Sequence, residues 1–392
     1  MKSEILTTDK AKELQQKTLN SQKINIGIIG AGRFGIHHLN AFRQMEKTSS
    51  LKLITLSDIN PDVCHKYGRQ FEINAYQDYR KMIESEDLTA VSIATPDHLH
   101  GDIIKYALEN DLYVFVEKPL EICPNKAKEV VDLAQNKNLL LQVDFHKRYD
   151  PYHIEIKELI RQNKIGAFLY GYCYMEDKIT VPRVWFPHWA DETSPAWFLG
   201  TNFIDLMDWL LPYNAENVFA TGQKGKLSSI GIDTYDSIQA MITYQNKSTI
   251  SYNFSWILPE QFPSIVNQGF RLIGSEGIVE SDSQERGTIT CFASEPGMNV
   301  HNSGFIYKTE NPDGTYQYRG YGITSIQHFV KNVLYLKNGG DLDNLCGSYP
   351  SGKDALKVTN IVHAIHRSLD SGEPVCILNE KGQTQVREKK YA

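Results

Sequence analysis

Four clusters along the 392-residue chain hold side chains or turns able to do chemistry. The first is Gly30-Ala31-Gly32-Arg33-Phe34-Gly35, where the apolar run Ile24 to Ile29 breaks off. Gly30 permits a tight turn. Gly32 has no Cβ to keep a pyrophosphate from the backbone, and Gly35 lets a following helix pack close to the strand. The free N–H groups of that helix's first turn face the anion. This spacing predicts a dinucleotide cradle, with Arg33 and Phe34 among its contacts. A second apolar run, Leu51 to Ser57, ends in Asp58 and Ile59. A carboxylate there hydrogen-bonds a ribose 2′-hydroxyl and repels a 2′-phosphate, so NAD is expected ahead of NADP.

The second cluster is Ala94-Thr95-Pro96-Asp97-His98-Leu99-His100. Its proline stops a strand, and the small residues before it admit a flat ring or a ribose. Thr95, Pro96, His98 and His100 are therefore expected at the cofactor; the bland alternative is a plain strand-to-helix turn with capping or solvated histidines. The third is Glu117-Lys118-Pro119. A lysine at the C-terminal end of a buried strand sits over the cofactor crevice. It can hydrogen-bond a substrate hydroxyl and, once desolvated, accept its proton. Glu117 is placed to partner it, unless the two form an ordinary surface ion pair. The fourth is Phe145-His146-Lys147-Arg148-Tyr149-Asp150-Pro151, at a domain junction, where Arg148 is expected to face the substrate or cofactor.

The elements that must position these clusters alternate from residue 23 to 148. Short β-branched runs at 24–29, 51–57, 90–95, 112–117 and 139–145 read as parallel strands covered on both faces. Helical patterns fall at 36–46, 61–71, 98–110 and 124–136, with Pro61 and Pro124 suited to first-turn positions. The result is an α/β, doubly wound parallel sheet. After a further helix at 152–162 the texture changes. β-rich runs at 167–175, 216–223, 235–245, 248–256 and 268–274, separated by turn residues, predict a large, mainly antiparallel open-faced sheet. Helices at 324–338 and 352–371 flank it. The expected division is an extension at 1–22, a dinucleotide domain at 23–148, and an α+β substrate and oligomerisation domain at 149–392.

Composition narrows the function. A net charge of −6 offers no basic surface, so nucleic acid is not an expected partner. Six scattered cysteines show no C-x-x-C and no Cys/His cluster, so neither a disulfide frame nor a metal site is signalled. The polar start MKSEILTTDK does not read as a secretory signal, and no apolar run reaches the length of a membrane span. A cytoplasmic location without membrane contact is expected. The aromatic residues Tyr172, Tyr174, Trp185, Trp189, Trp197 and Phe198 fall in one stretch. Aromatic faces pack on the C–H faces of sugar rings, so Tyr174, Trp185 and Trp197 are candidate substrate contacts, a packed core being the alternative.

Taken in order, GIIGAGRFG, ATPDHLH, VEKPL, FHKRYDPYH, GTNFIDLMDWL and FRLIGSEG resemble the Gfo/Idh/MocA family, which includes inositol dehydrogenase and glucose–fructose oxidoreductase. The resemblance runs from residue 23 to about 372. It implies a Rossmann domain and an open sheet that holds the substrate and often forms the interface of a homodimer or homotetramer. It implies hydride transfer between NAD and a hydroxyl-bearing carbon of a sugar or cyclitol, with Lys118 as the catalytic lysine. The family run D-x-G-x-H-x-x-D is altered here. Phe198 and Asn202 stand at the Asp and His positions, and Asp205 matches. Asn cannot titrate, so it can orient a hydroxyl but cannot serve as a base. Asn202 and Asp205 are expected to position the substrate, with Asp205 also orienting Lys118 or the hydroxyl; His188 is a candidate stand-in base. Two alternatives follow from the altered run: an NAD-binding regulator with weak catalysis, and an NAD-dependent glycosidase.

Overall fold

The computed structural model describes residues 23–292, 294 and 297–377. The expected extension at 1–22 lies outside the described residues. The first half alternates strand and helix: β1 (Ile24–Ile29), α1 (Gly35–Met45), β2 (Leu51–Ser57), α2 (Pro61–Phe71), β3 (Asn74–Tyr76), α3 (Tyr79–Ser85), β4 (Ala90–Ile93), α4 (His100–Glu109), β5 (Tyr113–Val116), α5 (Pro124–Asn136) and β6 (Leu141–Val143). The six strands form one parallel sheet in the order β3-β2-β1-β4-β5-β6. Alternation along β5 shows why both faces are dry. Val114 and Val116 pack with Ile103, Ile104, Ala127 and Val130 of α4 and α5, while Phe115 points to the other face, among Leu39 and Phe42 of α1.

The second half opens with α6 (Pro151–Arg161) and the long strand β7 (Phe168–Lys178). Helix α7 (Thr201–Leu210) and strands β8 (Ala215–Gln223), β9 (Ser237–Tyr244), β10 (Thr249–Leu258), β11 (Val266–Gly274) and β12 (Ile278–Asp282) follow. Small hairpins come next, β13 (Thr288–Thr290) with β14 (Asn299–His301) and β15 (Tyr307–Glu310) with β16 (Tyr316–Arg319). Helices α8 (Tyr321–Lys337) and α9 (Gly352–Ser371) and the short β17 (Val375–Cys376) complete the order. The second sheet runs β12-β11-β7-β10-β9-β8-β17. Its inner face, including Cys173, Ile242, Phe254 and Leu272, packs on α7 and α9. Its outer face leaves Tyr170, Tyr172, Phe219 and Met241 exposed. In register, Phe219 pairs with Met241, Met241 with Ser251 and Ser251 with Tyr172, so this row crosses four strands.

The structure adds elements to the expected set. Strand β3 and helix α3 had no place in it, because Asn74-Ala75-Tyr76 is a three-residue edge strand without an apolar run. The strands at 90–95, 112–117 and 139–145 are each shorter, since their ends turn into the ligand crevice. The helix expected at 98–110 begins as a tight turn at Asp97–Leu99 before α4. One pair in the second sheet, β7 with β10, is parallel, because the chain makes its excursion through α7 and two other strands before returning. Helix α8 follows the second sheet in sequence but packs on the first. Its Phe329 stacks on Phe115 with ring centres 5.2 Å apart, and Ile326, Val330 and Val333 join the same core. Phe329→Ala is expected to lower stability by about 3–5 kcal/mol, read by chemical denaturation of the whole chain.

Candidate functional site

The strand-to-helix turn after β1 is built as its glycines suggest. Gly30 has φ +87°, and a Cβ there would lie 2.4 Å from the Ala94 carbonyl oxygen. A Cβ on Gly35 would lie 2.1 Å from the Gly30 oxygen, so the helix could not close on the strand. A Cβ on Gly32 would meet nothing within 4 Å; that side faces open space. Asp58, just past β2, takes the Ala31 N–H on Oδ2 and the Asn60 N–H on Oδ1, both at 2.9 Å, so its carboxylate is fixed beside the loop.

The loop opens on a cleft of about 550 Å³. It brings together Gly30, Gly32, Arg33, Phe34, Asp58, Ile59, Thr95, Pro96, Glu117, Lys118 and Trp185. Arg33 lies 4.6 Å from the centre of the Trp185 ring, so the glycine loop and the second half of the chain meet across the mouth. Phe186, Trp189 and Phe198 form an apolar wall; the Phe186 and Trp189 rings stack at 4.4 Å. Gln77, Tyr79 and Arg80 also line the cleft and were missed in the sequence reading. The signal for them was their place directly after a third strand, which was itself too short to see.

Other expected site residues lie elsewhere. His100 is fully buried behind the cleft wall, with one ring nitrogen 2.6 Å from the Pro119 oxygen and the other 2.9 Å from the Thr95 oxygen. It braces the two turns that carry Thr95 and Lys118. His98 does not line the cleft either, and its buried Nδ1 has no partner. Arg148 is buried in a fork with Asp205, Nε to Oδ2 at 2.9 Å and Nη2 to Oδ1 at 2.6 Å, and also reaches Asp354 at 3.4 Å. Asp205 therefore spends both oxygens on Arg148 and does not reach Lys118 as a partner. Trp197 stacks on His366 at 5.8 Å, outside the cleft. Tyr174 is half-buried on β7 beside Gly269, also outside it, and His188 is exposed. Asn202 is buried; its Nδ2 donates to the Leu199 oxygen at 3.3 Å, and its Oδ1 has no partner.

Lys118 is the pivot. It lies just beyond β5, and its Nζ donates to the Phe198 carbonyl at 2.8 Å while sitting 4.1 Å from the centre of the Phe198 ring. Phe198 lies in a wide π-helical turn, Ala196–Gly200, that leads into α7. Neighbouring Glu117 turns the other way. Its Oε1 is 3.0 Å from His38 Nε2, and His38 Nδ1 is 2.7 Å from Ser92 Oγ. Asp144, which accepts from Ser325 Oγ of α8, completes this buried group. Burial pushes Glu117 up to about 7 and Asp144 well above the usual carboxylate range, and it pushes His38 down to about 4. The ligand atoms of His38, Glu117 and Asp144 all lie within 4.8 Å of one another, a grouping able to hold a metal ion, although here they serve one another.

Two outcomes test this arrangement. Asp205→Asn leaves Arg148 buried and under-paired, and is expected to cost about 3–5 kcal/mol in thermal or urea unfolding. Glu117 is raised from 4.5 to about 7, so its contribution is whole below pH 4.5 and is lost as pH rises to about 7. Wild type should lose about 3 kcal/mol relative to Glu117→Gln across that window, read as the difference between their unfolding free energies at each pH.

Two family models match the chain: "Oxidoreductase family, NAD-binding Rossmann fold" over residues 24–145, and "GFO/IDH/MocA C-terminal domain" over residues 153–280. An inositol 2-dehydrogenase of Salmonella paratyphi B is 28% identical over 212 residues, 53% of this chain and 61% of that protein. A levoglucosan dehydrogenase of Pseudarthrobacter phenanthrenivorans is 31% identical over 163 residues, 40% of this chain and 42% of that protein. The chain thus spans less than two-thirds of the length of these relatives. Among solved structures, a scyllo-inositol dehydrogenase from Lactobacillus casei with bound NAD(H) and scyllo-inositol shares the fold at a TM-score of 0.71 and 18% identity, covering 91% of this chain and 99% of the other. Among the described residues no helix is long and apolar enough to cross a membrane. The first sheet and its glycine loop are an NAD-binding Rossmann domain, and the chain belongs to the Gfo/Idh/MocA oxidoreductase family.

Proposed function

We propose that this protein is an NAD-dependent dehydrogenase acting on a ring hydroxyl of a sugar, cyclitol or sugar derivative, with Lys118 as the catalytic lysine. The observation that carries the reading is the position of Lys118, at the crevice end of β5, facing a cleft with an aromatic wall and held by a neutral carbonyl.

The residues present fit a dinucleotide. The open side of Gly32 admits a pyrophosphate, the fixed Asp58 carboxylate suits a ribose diol, and the buried Thr95 Oγ1 still lacks a hydrogen-bond partner. Gly30, Gly32, Arg33, Phe34, Asp58, Ile59, Thr95 and Pro96 would hold it; Glu117, expected from the sequence to join them, is turned toward His38 instead. When bound, NAD supplies the hydride acceptor. The Asp58 charge disfavours the extra phosphate of NADP.

The protein's own part is placement and proton handling. Lys118 hydrogen-bonds the reacting hydroxyl and accepts its proton as the carbon is oxidised. The carbonyl and ring of Phe198 keep the lysine aimed, and Glu117, turned toward His38, does not draw it away. Phe186, Trp189 and Phe198 exclude water and present faces to the ring's C–H bonds. Two buried polar atoms near this wall lack partners, Asn202 Oδ1 and Trp256 Nε1, the latter on a ring 5.7 Å from Phe198. An acceptor and a donor left open beside the aromatic wall suit the hydroxyls of a polyol. The exposed row Phe219, Met241 and Tyr172 on the outer face of the second sheet supports assembly into a homodimer or homotetramer.

The test is NADH formation at 340 nm with purified protein, NAD and a panel of inositols, hexoses and sugar acids. A substrate-dependent rise is expected, falling by about 100-fold or more in Lys118→Met while NAD affinity by calorimetry stays within a few-fold. A flat signal with NAD bound would overturn the reading in favour of a regulator, the outcome that Asn202 would explain. Release of an aryl leaving group without net NADH would replace it with the glycosidase.

A further inference from the structure

Positions 198 and 202 hold Phe and Asn, so the altered run contributes no titratable group beside Lys118. A carboxyl reaches this region from another element. Asp177 lies one residue before the end of β7 and is 4% exposed. It shares the inner face of the strand with Cys173. Its side chain has no hydrogen-bond partner among the described residues, and its oxygens are not sealed off from the space around them. A carboxyl so nearly buried is costly to leave unpaired, which marks it as awaiting a ligand.

Its neighbourhood is the wall already described. β10 pairs with β7, and the register shifts between Ser255 and Leu258, opposite Glu176 and Lys178. That shift sets Trp256 and Ile257 opposite Asp177. Trp256 packs edge-on against Phe198, the residue that holds Lys118 by its carbonyl and ring. Lys118 is the charged group that acts on Asp177 from the packed elements. On its own strand the flanking Glu176 and Lys178 alternate to the other face, where Glu176 accepts from Asn267 at 2.9 Å. Burial pushes Asp177 up to about 8, and the Lys118 charge pulls it back. A proton acceptor works best when it titrates near the working pH.

We propose that Asp177 is a further catalytic residue of the dehydrogenase reaction put forward above, contacting the substrate and taking up the proton that leaves its hydroxyl by way of Lys118. The inference rests on that reading. In the oxidative direction the Lys118 ammonium yields one proton toward Asp177 as the reacting O–H bond breaks and an N–H bond re-forms on its nitrogen. The hydride leaves the same carbon with its electron pair for the oxidised nicotinamide cofactor, the oxidant of the proposed reaction. Lys118 and Asp177 make no direct ion pair, so a second ring hydroxyl bridges them. It receives a proton from the ammonium and passes its own to the carboxylate. Lys118 ends as the ammonium it began as, the Asp177 carboxyl ends neutral, and the carbon ends as a ketone.

The experiment compares wild type, Asp177→Asn, Asp177→Glu and Lys118→Met by difference infrared spectroscopy across pH, and by the pH profile of turnover. The carbonyl-stretch band of a protonated carboxyl should be present in wild type, persist until pH approaches about 8, and be missing in Asp177→Asn. In Lys118→Met it should persist to higher pH, because the cation that pulls the carboxyl down is gone. Turnover in the oxidative direction should rise through the same pH range in wild type. In Asp177→Asn that rise should vanish and kcat should fall by about 100-fold with KM little changed, and Asp177→Glu should recover part of both. Absence of the band, a band unmoved in Lys118→Met, or an Asp177→Asn enzyme with wild-type kcat and pH profile would overturn the proposal. Failure of wild type to oxidise any ring polyol would sink the proposed reaction; the infrared arm would still judge Asp177 on its own.

Discussion

One contact joins the two halves of this molecule at the point where chemistry is expected: the Lys118 ammonium on the carbonyl and ring of Phe198. Lysine in a buried setting usually takes a carboxylate partner, since an unpaired charge is costly there. This one takes a neutral oxygen and a π face instead. The adjacent Glu117 does not compete, because it is turned into a buried group with His38 and Asp144 that favours its protonated form. The result is a cation aimed into the cleft with no carboxylate partner among the described residues. The chain reaches this geometry through a strand end on one sheet and a widened helical turn leading into α7, the helix that covers the other sheet.

That contact holds only if the two sheets keep a fixed relation, and the interior supplies several ties. Arg148 forks onto Asp205 of α7 and reaches Asp354 in the first turn of α9. Helix α8 returns from the second sheet to stack Phe329 on Phe115 of β5, the strand that delivers Lys118. Ser325 of the same helix hydrogen-bonds Asp144, so the buried acid group is itself built from both halves. Across the mouth, Arg33 over Trp185 adds a further link.

Much of this was legible in the sequence because local chemistry dictates it. The glycine loop, the Asp58 position and the Glu117-Lys118-Pro119 turn each follow from a strand end and a backbone need, and each lies on the cleft. The roles of Arg148 and Asp205 were not legible. A charged residue at a domain junction reads equally as a ligand contact or as half of a buried pair, and only the fold brings two residues 57 positions apart into one fork. Trp197 was misjudged for a similar reason: an aromatic run does not reveal which ring faces a cleft and which stacks on a distant histidine. In the sequence Asp177 is one of three consecutive charged residues, Glu176-Asp177-Lys178, with nothing to set it apart. What distinguishes it, near-complete burial without a partner, is a property of the packed structure.

The central claim is that a ring carbon gives up hydride while Lys118 handles the proton. The most direct measurement is transfer of deuterium from carbon-deuterated cyclitols and sugars to NAD, read as the mass of the reduced cofactor. The account expects reduced cofactor one mass unit heavier with wild type and almost none with Lys118→Met. Reduced cofactor that carries no label, or equal labelled product from the Lys118 variant, would contradict it.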